Sequence, residues 1–281
     1  TKIIMMKKLF LFLLFSILGN AQTHRFIYEF KFKEDSTTQN FRKENMVLDV
    51  NPTDVKFYSY GYVENDSINK VRNFKNVMWD DALPAITRKN QSNTNTSFLL
   101  MNDFFTYQTE DNINWVLTSE TKKSAQYILQ KATTRFGGRD WVAWFNKDIE
   151  IQEGPYKFRG LPGLIFEIAD TKDNFSFVLI KSHHLHKTYD TTEFLESFAG
   201  MKPIAITEKI LQKKQIEMFN DPLRDFKEHY KNSNGSGKFL VMGVEVKSAD
   251  QFRELTQMTQ ERLRKTNNPL ELDKAPIYPK K

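Results

Sequence analysis

The residues best suited to chemistry in this chain are three histidines in "SHHLHK", at His183, His184 and His186. If the surrounding stretch is a strand, His184 and His186 share a face, because side chains alternate across a strand. Neutral imidazoles suit copper, zinc or nickel, so these three are candidate metal ligands, and His24 on an early strand is a candidate fourth. A catalytic zinc site wants three protein ligands and an open position, and no carboxylate is tied to the cluster in sequence. The plain alternative is a polar strand end with solvated histidines. Glu150, Glu153, Glu167, Asp170 and Asp173 offer a second chemistry, since two carboxylates in a cleft run glycoside hydrolysis. Asp170 and Asp173 fall in a turn, however, where aspartate is common for backbone reasons. Trp115, Trp141 and Trp144 can stack on a sugar or peptide, but core packing is the favoured reading. "GSGK" (235–238) has Phe239 where a phosphate loop needs Ser or Thr, and the loop's earlier glycine is missing. The chain has no Gly-x-Ser-x-Gly elbow and no His-Glu-x-x-His helix.

The elements that must carry these residues read as strands. In "THRFIYEFKFK", Phe26, Tyr28, Phe30 and Phe32 alternate with Ile27, Glu29, Lys31 and Lys33, the period of a half-buried strand. "ENMVLDV" and the run through Val55 and Phe57 flank an Asn51-Pro52 turn. Asp66 or Ser67 is placed to cap a short helix carrying Ile68 and Val71, and 88–97 has no apolar residue, as in a surface loop. From 98 to 181, short strands recur between turn residues, with Gly137-Gly138 a hairpin signal. In "DWVAWF", Trp141, Ala143 and Phe145 take one face and Val142 and Trp144 the other, as in a central strand buried on both sides. "RGLPGLIFEI" (159–168) reads as a type II turn over Leu161–Leu164, with Gly163 at positive φ. The strand after it has Leu164, Phe166 and Ile168 on one face and Ile165 and Glu167 on the other.

Near residue 200 the period changes. Ile206, Ile210, Ile216 and Phe219 have helical spacing, and Pro222 suits the first turn of a second helix capped by Asn220 or Asp221. "NSNGSG" (232–237) is a flexible break and "KFLVMGVEV" a further strand. Ser248 with Gln251 makes a capping box for a last helix over 248–265, and "NNPLELDKAPIYPKK" is an extended tail. The expected fold is mainly β with α: an antiparallel meander sheet, open or partly closed into a cradle, with C-terminal helices packed on it. The expected organisation is a signal peptide over 1–21, a β-rich region over 22–200 and a helical region with its tail over 201–281.

Lys7 and Lys8 precede an apolar run from Leu9 to Leu18 and then Ala21, the pattern of a secretory signal with cleavage after Ala21; "TKIIM" precedes a start at Met5 or Met6. The apolar run is too short to span a bilayer, which needs roughly 20 residues. Removing residues 1–21 takes away Lys2, Lys7 and Lys8 and no acid. The 41 basic residues become 38 against 35 acidic, and the net charge falls from +6 to +3. Nucleic-acid binding thereby loses its compositional support. The chain has no cysteine, so it carries neither disulfide staples nor a lipid on a cysteine.

"RFGGRDWVAWFNKDIEIQEGPYKFRGLPGLIFEIAD" (135–170) resembles the GLPGLI family of exported Bacteroidetes proteins, with the motif intact at Gly160, Leu161, Pro162, Gly163, Leu164 and Ile165. The "GPYKF" block and "NNPLEL" also look like that family. The resemblance implies a cell-envelope location, periplasmic or associated with the outer membrane, and offers no catalytic residues to carry over. It further implies a link to outer-membrane receptors of the TonB-dependent kind. The expectation is therefore a non-enzymatic protein that binds an envelope protein or peptide, is not membrane-spanning once mature, and uses the motif for structure. A periplasmic copper or zinc carrier using His183, His184 and His186, and a secreted hydrolase of unrecognised type, are the alternatives. N-terminal sequencing of protein from the envelope fraction is expected to begin at Gln22; a chain beginning at Met5 or Met6 contradicts the export signal.

Overall fold

The computed structural model describes residues 23–233 and 238–280. The signal-peptide expectation over 1–21 and most of the "GSGK" stretch lie outside the described residues. The first strand, β1 (Thr23–Phe32), buries Phe26, Tyr28, Phe30 and Phe32 as its alternation predicts. Next come β2 (Arg42–Val50) and β3 (Asp54–Ser59), joined at Asn51, whose N–H donates to Asp54 O at 2.8 Å. The helix that follows, α1 (Tyr60–Arg72), starts well before Asp66. Ser59 is its cap, with Oγ accepting the Gly61 N–H, and Asn73 ends it at φ +53°. Ser59 wins because its extended backbone leaves the sheet there and its hydroxyl can satisfy a first-turn N–H.

Residues 88–97 are not a loop. β4 (Ala85–Lys89) and β5 (Thr94–Leu100) take up most of them, and Asn95 and Ser97 are buried. A polar strand reads as a loop when its inward side chains bond to neighbours instead of packing. β6 (Phe104–Glu110), β7 (Val116–Ser124), β8 (Tyr127–Phe136) and β9 (Arg139–Asn146) follow. Gly137 and Gly138, at φ +62° and +73°, turn β8 into β9 as expected. On β9, Trp141, Ala143 and Phe145 are buried; Val142 and Trp144 are only half-buried, so one face alone is core. β10 (Leu164–Asp170) and β11 (Phe175–Leu185) complete the main meander.

The strand order is β6-β5-β4-β3-β2-β1-β11-β10-β9-β8-β7, with a two-residue β12 (Ile204–Ala205) added parallel to β6. This order dictates the shape. From β6 to β7 there are ten inter-strand steps, roughly 48 Å if flat at about 4.8 Å each. Residues 111–115 alone connect the two strands, and so short a segment reaches roughly 20 Å at most. The sheet must therefore curl until its ends approach, although β6 and β7 do not pair and no barrel closes.

The concave face is filled by the chain itself. The excursion between β9 and β10, residues 147–163, drives Tyr156, Phe158 and Leu161 into one core with Tyr28, Phe30, Phe57, Trp141, Phe145 and Phe177. The GLPGLI motif is the exit of this plug. The Gly163 N–H donates to Leu161 O at 2.8 Å, so the turn is a three-residue one about Pro162 rather than type II. Gly163 has φ +146°, and a Cβ there would lie 1.9 Å from Asn146 O. The alternation expected beyond it is broken by a bulge. Ile165 pairs with Phe145 and Glu167 with Trp144, leaving Phe166 as the extra residue. Leu164, Ile165, Phe166 and Ile168 are all buried, and Tyr28 Oη donates to Ile165 O at 2.7 Å.

On the convex side α1 and residues 189–198 cover a smaller cluster of Val47, Tyr58, Tyr62, Ala85 and Leu195. The C-terminal part has α2 (Glu208–Asn220), α3 (Arg224–Asn232), a hairpin of β13 (Phe239–Val241) and β14 (Val244–Val246), and α4 (Gln251–Lys265). Pro222 lies before α3, which has no side-chain cap; Asp221 instead pairs with Lys227 at 2.6 Å. "KFLVMGVEV" is two strands, because Met242 and Gly243 both sit at positive φ and reverse the chain. Gln251 Oε1 accepts the Ser248 N–H at 3.0 Å, the glutamine half of the expected capping box. This part has its own core of Leu223, Phe239, Val241, Val246, Phe252 and Leu255.

The two motif glycines separate strain from collision. Gly160 is at φ +88°, and a methyl group added there would meet nothing within 4 Å, so Gly160→Ala is expected to cost about 1–2 kcal/mol of backbone strain. Gly163→Ala adds a backbone clash and is expected to cost about 4 kcal/mol or more. Glu167→Gln, which breaks only the half-exposed pair with Lys122, is expected to cost under about 1 kcal/mol. Denaturant melts of the three variants check this order.

Candidate functional site

Two blocks far apart in sequence meet at the open end of the curled sheet. "GPYKF" brings Tyr156 and Lys157; "NNPLEL" brings Asn268 and Glu271. The Lys157 side chain is fully buried, with Nζ 2.6 Å from Glu271 Oε1 and 3.1 Å from Asp111 Oδ2. Tyr156 Oη donates to Glu271 Oε1 at 2.5 Å, and Lys274 Nζ reaches Glu271 Oε2 at 2.9 Å and Glu208 at 2.8 Å. Thr109 Oγ1 and Asn95 Nδ2 donate to Asp111. Burial alone would raise the Glu271 carboxyl; Lys157, with Tyr156 and Lys274, overrides it and holds the group below the usual carboxylate range. Asp111 behaves the same way, with Lys157, Thr109 and Asn95 outweighing burial. Burial and then Glu271 push the Tyr156 phenol far up, so it stays a donor. Tyr156 holds φ +58°, a conformation rare for a bulky residue.

Arg139 secures the tail beside this cluster. Its guanidinium donates to Leu270 O at 3.0 Å, Asn268 Oδ1 at 2.6 Å and Pro269 O at 2.8 Å. The Gly137 carbonyl accepts the Leu272 N–H at 2.7 Å, and a Cβ on Gly137 would lie 2.9 Å from Glu271 Cα. The hairpin glycines thus serve the docking of the tail as well as the turn.

Above the cluster opens a cleft of about 510 Å³. Tyr156, Leu270 and Glu271 form its floor. Leu211, Gln212 and Gln215 of α2, Arg262 of α4 and Thr266 just after it form one wall; Phe32, Lys33, Arg42 and residues 81–84 form the other. Its size and its mixture of aromatic, amide and charged groups suit a ligand.

The residues singled out from sequence go elsewhere. His184 faces His24 across the β1–β11 ladder, ring centroids 4.4 Å apart. Burial first, then His184, lowers the pKa of His24. His183 alternates to the other face opposite Arg25, and His186 lies beyond the strand end. Among the described residues, no group of three or more His, Cys, Asp or Glu is arranged to hold a metal ion. The carboxylates are tied structurally: Glu153 to Arg88 at 2.6 Å, Glu167 to Lys122 at 2.6 Å, and Asp170 to the Asn174 and Phe175 N–H groups at 2.7 and 2.8 Å. Asp173 is a turn residue at φ +52°. Trp115 and Trp141 donate to the Arg159 and Phe136 carbonyls, and Lys122 covers Trp144. Residue types alone do not reveal the Lys157–Glu271–Asp111 cluster. Its signal in the sequence is a lysine beside an aromatic in "GPYKF" and a glutamate inside an apolar run in "NNPLEL".

A family model described as "Protein of unknown function (Porph_ging)" matches residues 138–167. That segment runs from the hairpin glycine through β9, the plug and the motif into β10. No curated protein sequence matches the chain. Two solved structures of PNGF-II, in different space groups, are similar at 15% and 16% identity with TM-score 0.51. They cover 69% of this chain, which in turn spans about a third, 32% and 33%, of theirs. The similarity is one of fold.

Lys157→Met leaves two buried carboxylates without their shared cation, and is expected to cost about 3–5 kcal/mol. Glu271 and Asp111 have folded values below their unfolded ones, so their stabilisation is full above the unfolded carboxylate range and is lost as pH falls through the folded values. In Lys157→Met burial instead raises these carboxyls. The stability deficit of the variant is therefore expected to be largest at neutral pH and to shrink as pH falls and the carboxyls take up protons, read by denaturant melts of both proteins across a pH series.

Proposed function

We propose that this is an exported cell-envelope protein of the GLPGLI type, a non-enzymatic binding or accessory protein that takes a partner protein or peptide in the cleft between the curled sheet and the C-terminal helices. The observation that carries this reading is the pairing of the ionised groups at the floor of the cleft. Glu271 and Asp111 are both held ionised by Lys157, an arrangement that fixes shape and suits binding more than proton transfer, which works best with groups titrating near the working pH. No helix among the described residues is long and apolar enough to cross a membrane, which fits a mature protein that does not span by helices. A periplasmic or outer-membrane-associated location, with an outer-membrane receptor of the TonB-dependent kind as partner, is the form of this proposal that follows from the motif. Copper or zinc capture by His183, His184 and His186 is a weaker reading, because the ladder joins His184 to His24 rather than to the other two.

The test is a cross-linked pull-down of the tagged mature protein from native envelopes, run beside Gln212→Trp. Gln212 is exposed on the cleft wall, and an indole there fills the cleft while leaving the cores alone. The expected result is one partner recovered by wild type and lost by a variant that melts like wild type. Equal recovery by both rules out the cleft.

A further inference from the structure

The outer end of α1 carries apolar side chains that the fold leaves in water. Ile68 and Val71, three residues apart on one helical face, are 48% and 84% exposed. Phe74 and Val77, in the turn that follows, are 61% and 47% exposed. Hydrogen bonds hold this turn in one shape. Asn73 ends the helix at φ +53°, and the Phe74 N–H donates to Asn69 O at 3.0 Å. Asn76 then straps the returning chain to the helix. Its N–H donates to Asn69 Oδ1 at 3.1 Å, its carbonyl accepts Asn65 Nδ2 at 2.9 Å and Asn69 Nδ2 at 2.8 Å, and its own Nδ2 donates to Asn65 Oδ1 at 3.1 Å. Asn65 and Asn69 are one helical turn apart, so these bonds keep Phe74 and Val77 beside the helix end that bears Ile68 and Val71. Tyr62, buried against Val47 and Tyr58, anchors the inner side of the same helix, and the knob therefore stands on a fixed base.

Cations surround these side chains. Between Ser67 and Trp79 the chain has Lys70, Arg72 and Lys75 and no acid. Lys70 pairs with Asp66 at 2.6 Å, while Arg72 and Lys75 are exposed and have no carboxylate partner among the described residues. The acids nearest in sequence are Glu64 and Asp66 before the knob and Asp80 after it, and Asp66 is taken by Lys70 and by Tyr189 Oη. We propose that residues 68–77 dock the protein on a membrane surface rich in anionic lipid. Val71 and Phe74, the most exposed of the four, enter the boundary between headgroups and acyl chains. Arg72 and Lys75 reach the lipid phosphates on their long stems. Size favours a bilayer over a protein partner. A stable protein interface takes roughly 20–30 residues a side, more than residues 68–77 supply, whereas interfacial insertion needs only a few apolar side chains with cations beside them. The contact is peripheral, because α1 has 13 residues, too few to cross a bilayer that needs roughly 20.

This contact goes beyond the cleft and does not depend on it, since it is measured with the purified mature protein and vesicles alone. Flotation with vesicles of phosphatidylglycerol and phosphatidylethanolamine is compared with flotation on phosphatidylcholine. Both are run at about 0.01 M and about 1 M salt, where charges act over roughly 30 Å and 3 Å. Wild type is expected to float with the anionic vesicles, more weakly at high salt, and to stay behind with phosphatidylcholine. Val71→Ser and Phe74→Ser are each expected to lower the partition coefficient roughly tenfold. Arg72→Gln combined with Lys75→Gln is expected to remove the preference for anionic lipid. All these variants are expected to melt like wild type, because the side chains lie in solvent. Leu240→Ser, which removes an exposed apolar side chain from the β13–β14 hairpin, is expected to float like wild type. No flotation of wild type, equal flotation of Phe74→Ser, or loss in Leu240→Ser alone overturns the proposal. So does self-association without vesicles that Phe74→Ser abolishes, which makes the knob an interface between two copies. Flotation that survives while the partner pull-down fails removes only the reading of the cleft, and the reverse removes only the membrane contact.

Discussion

A sheet that curls without closing must hold its two ends by something other than a ladder, and here Lys157 does it. Its ammonium reaches Asp111, in the short connection that jumps from β6 to β7, and Glu271, in the tail. One buried cation therefore joins the open seam of the sheet, the plug that fills its concave face, and the end of the chain. Such a cation is costly to desolvate and is stabilised only when geometry and further hydrogen bonds complete its surroundings. Tyr156, Thr109, Asn95 and Lys274 provide that completion.

The plug explains why the motif is rich in glycine and proline. Residues 147–163 leave the end of β9 and return to pair beside it as β10, so the chain passes over its own carbonyl at Asn146. Only a residue without a side chain can stand there. The bulge at Phe166 follows from the same return, because the plug delivers Leu164 and Ile165 to the core together and the ladder absorbs the mismatch with one extra residue. The motif thus acts through packing, while the polar residues of the plug reach across to the seam.

The cleft is a consequence of this construction. The plug fills the middle of the concave face, the tail is clamped to the hairpin by Arg139, and the space left over lies between the end of the sheet and the C-terminal helices. Its floor is electrostatically settled and rigid. Its mouth, at residues 80–84, is held by the Asp80 N–H on Tyr62, by the Ala82 N–H on Asp80 and by Leu83, which is buried in the main core.

Much of the fold is legible in the sequence, where local rules act alone. Alternation at Phe26–Phe32, the two glycines after β8, and the strand-rich stretch up to Ile180 point to the antiparallel class, since side-chain period and turn geometry depend only on near neighbours. The helix start at Ser59, the polar strand at Thr94–Leu100 and the hairpin at Met242-Gly243 are hidden, because in each a tertiary partner or a single backbone conformation outweighs composition. For the candidate site the limit is sharper. The sequence displays "GPYKF" and "NNPLEL" as blocks but has no means of showing that they touch, and it draws attention to histidines of which His183 alternates away from His184 and His186 lies beyond the strand end. Which charges meet is decided by long-range register and by how far the sheet curls. Those depend on the burial of many apolar side chains at once, so only the folded chain could place Lys157 between Asp111 and Glu271.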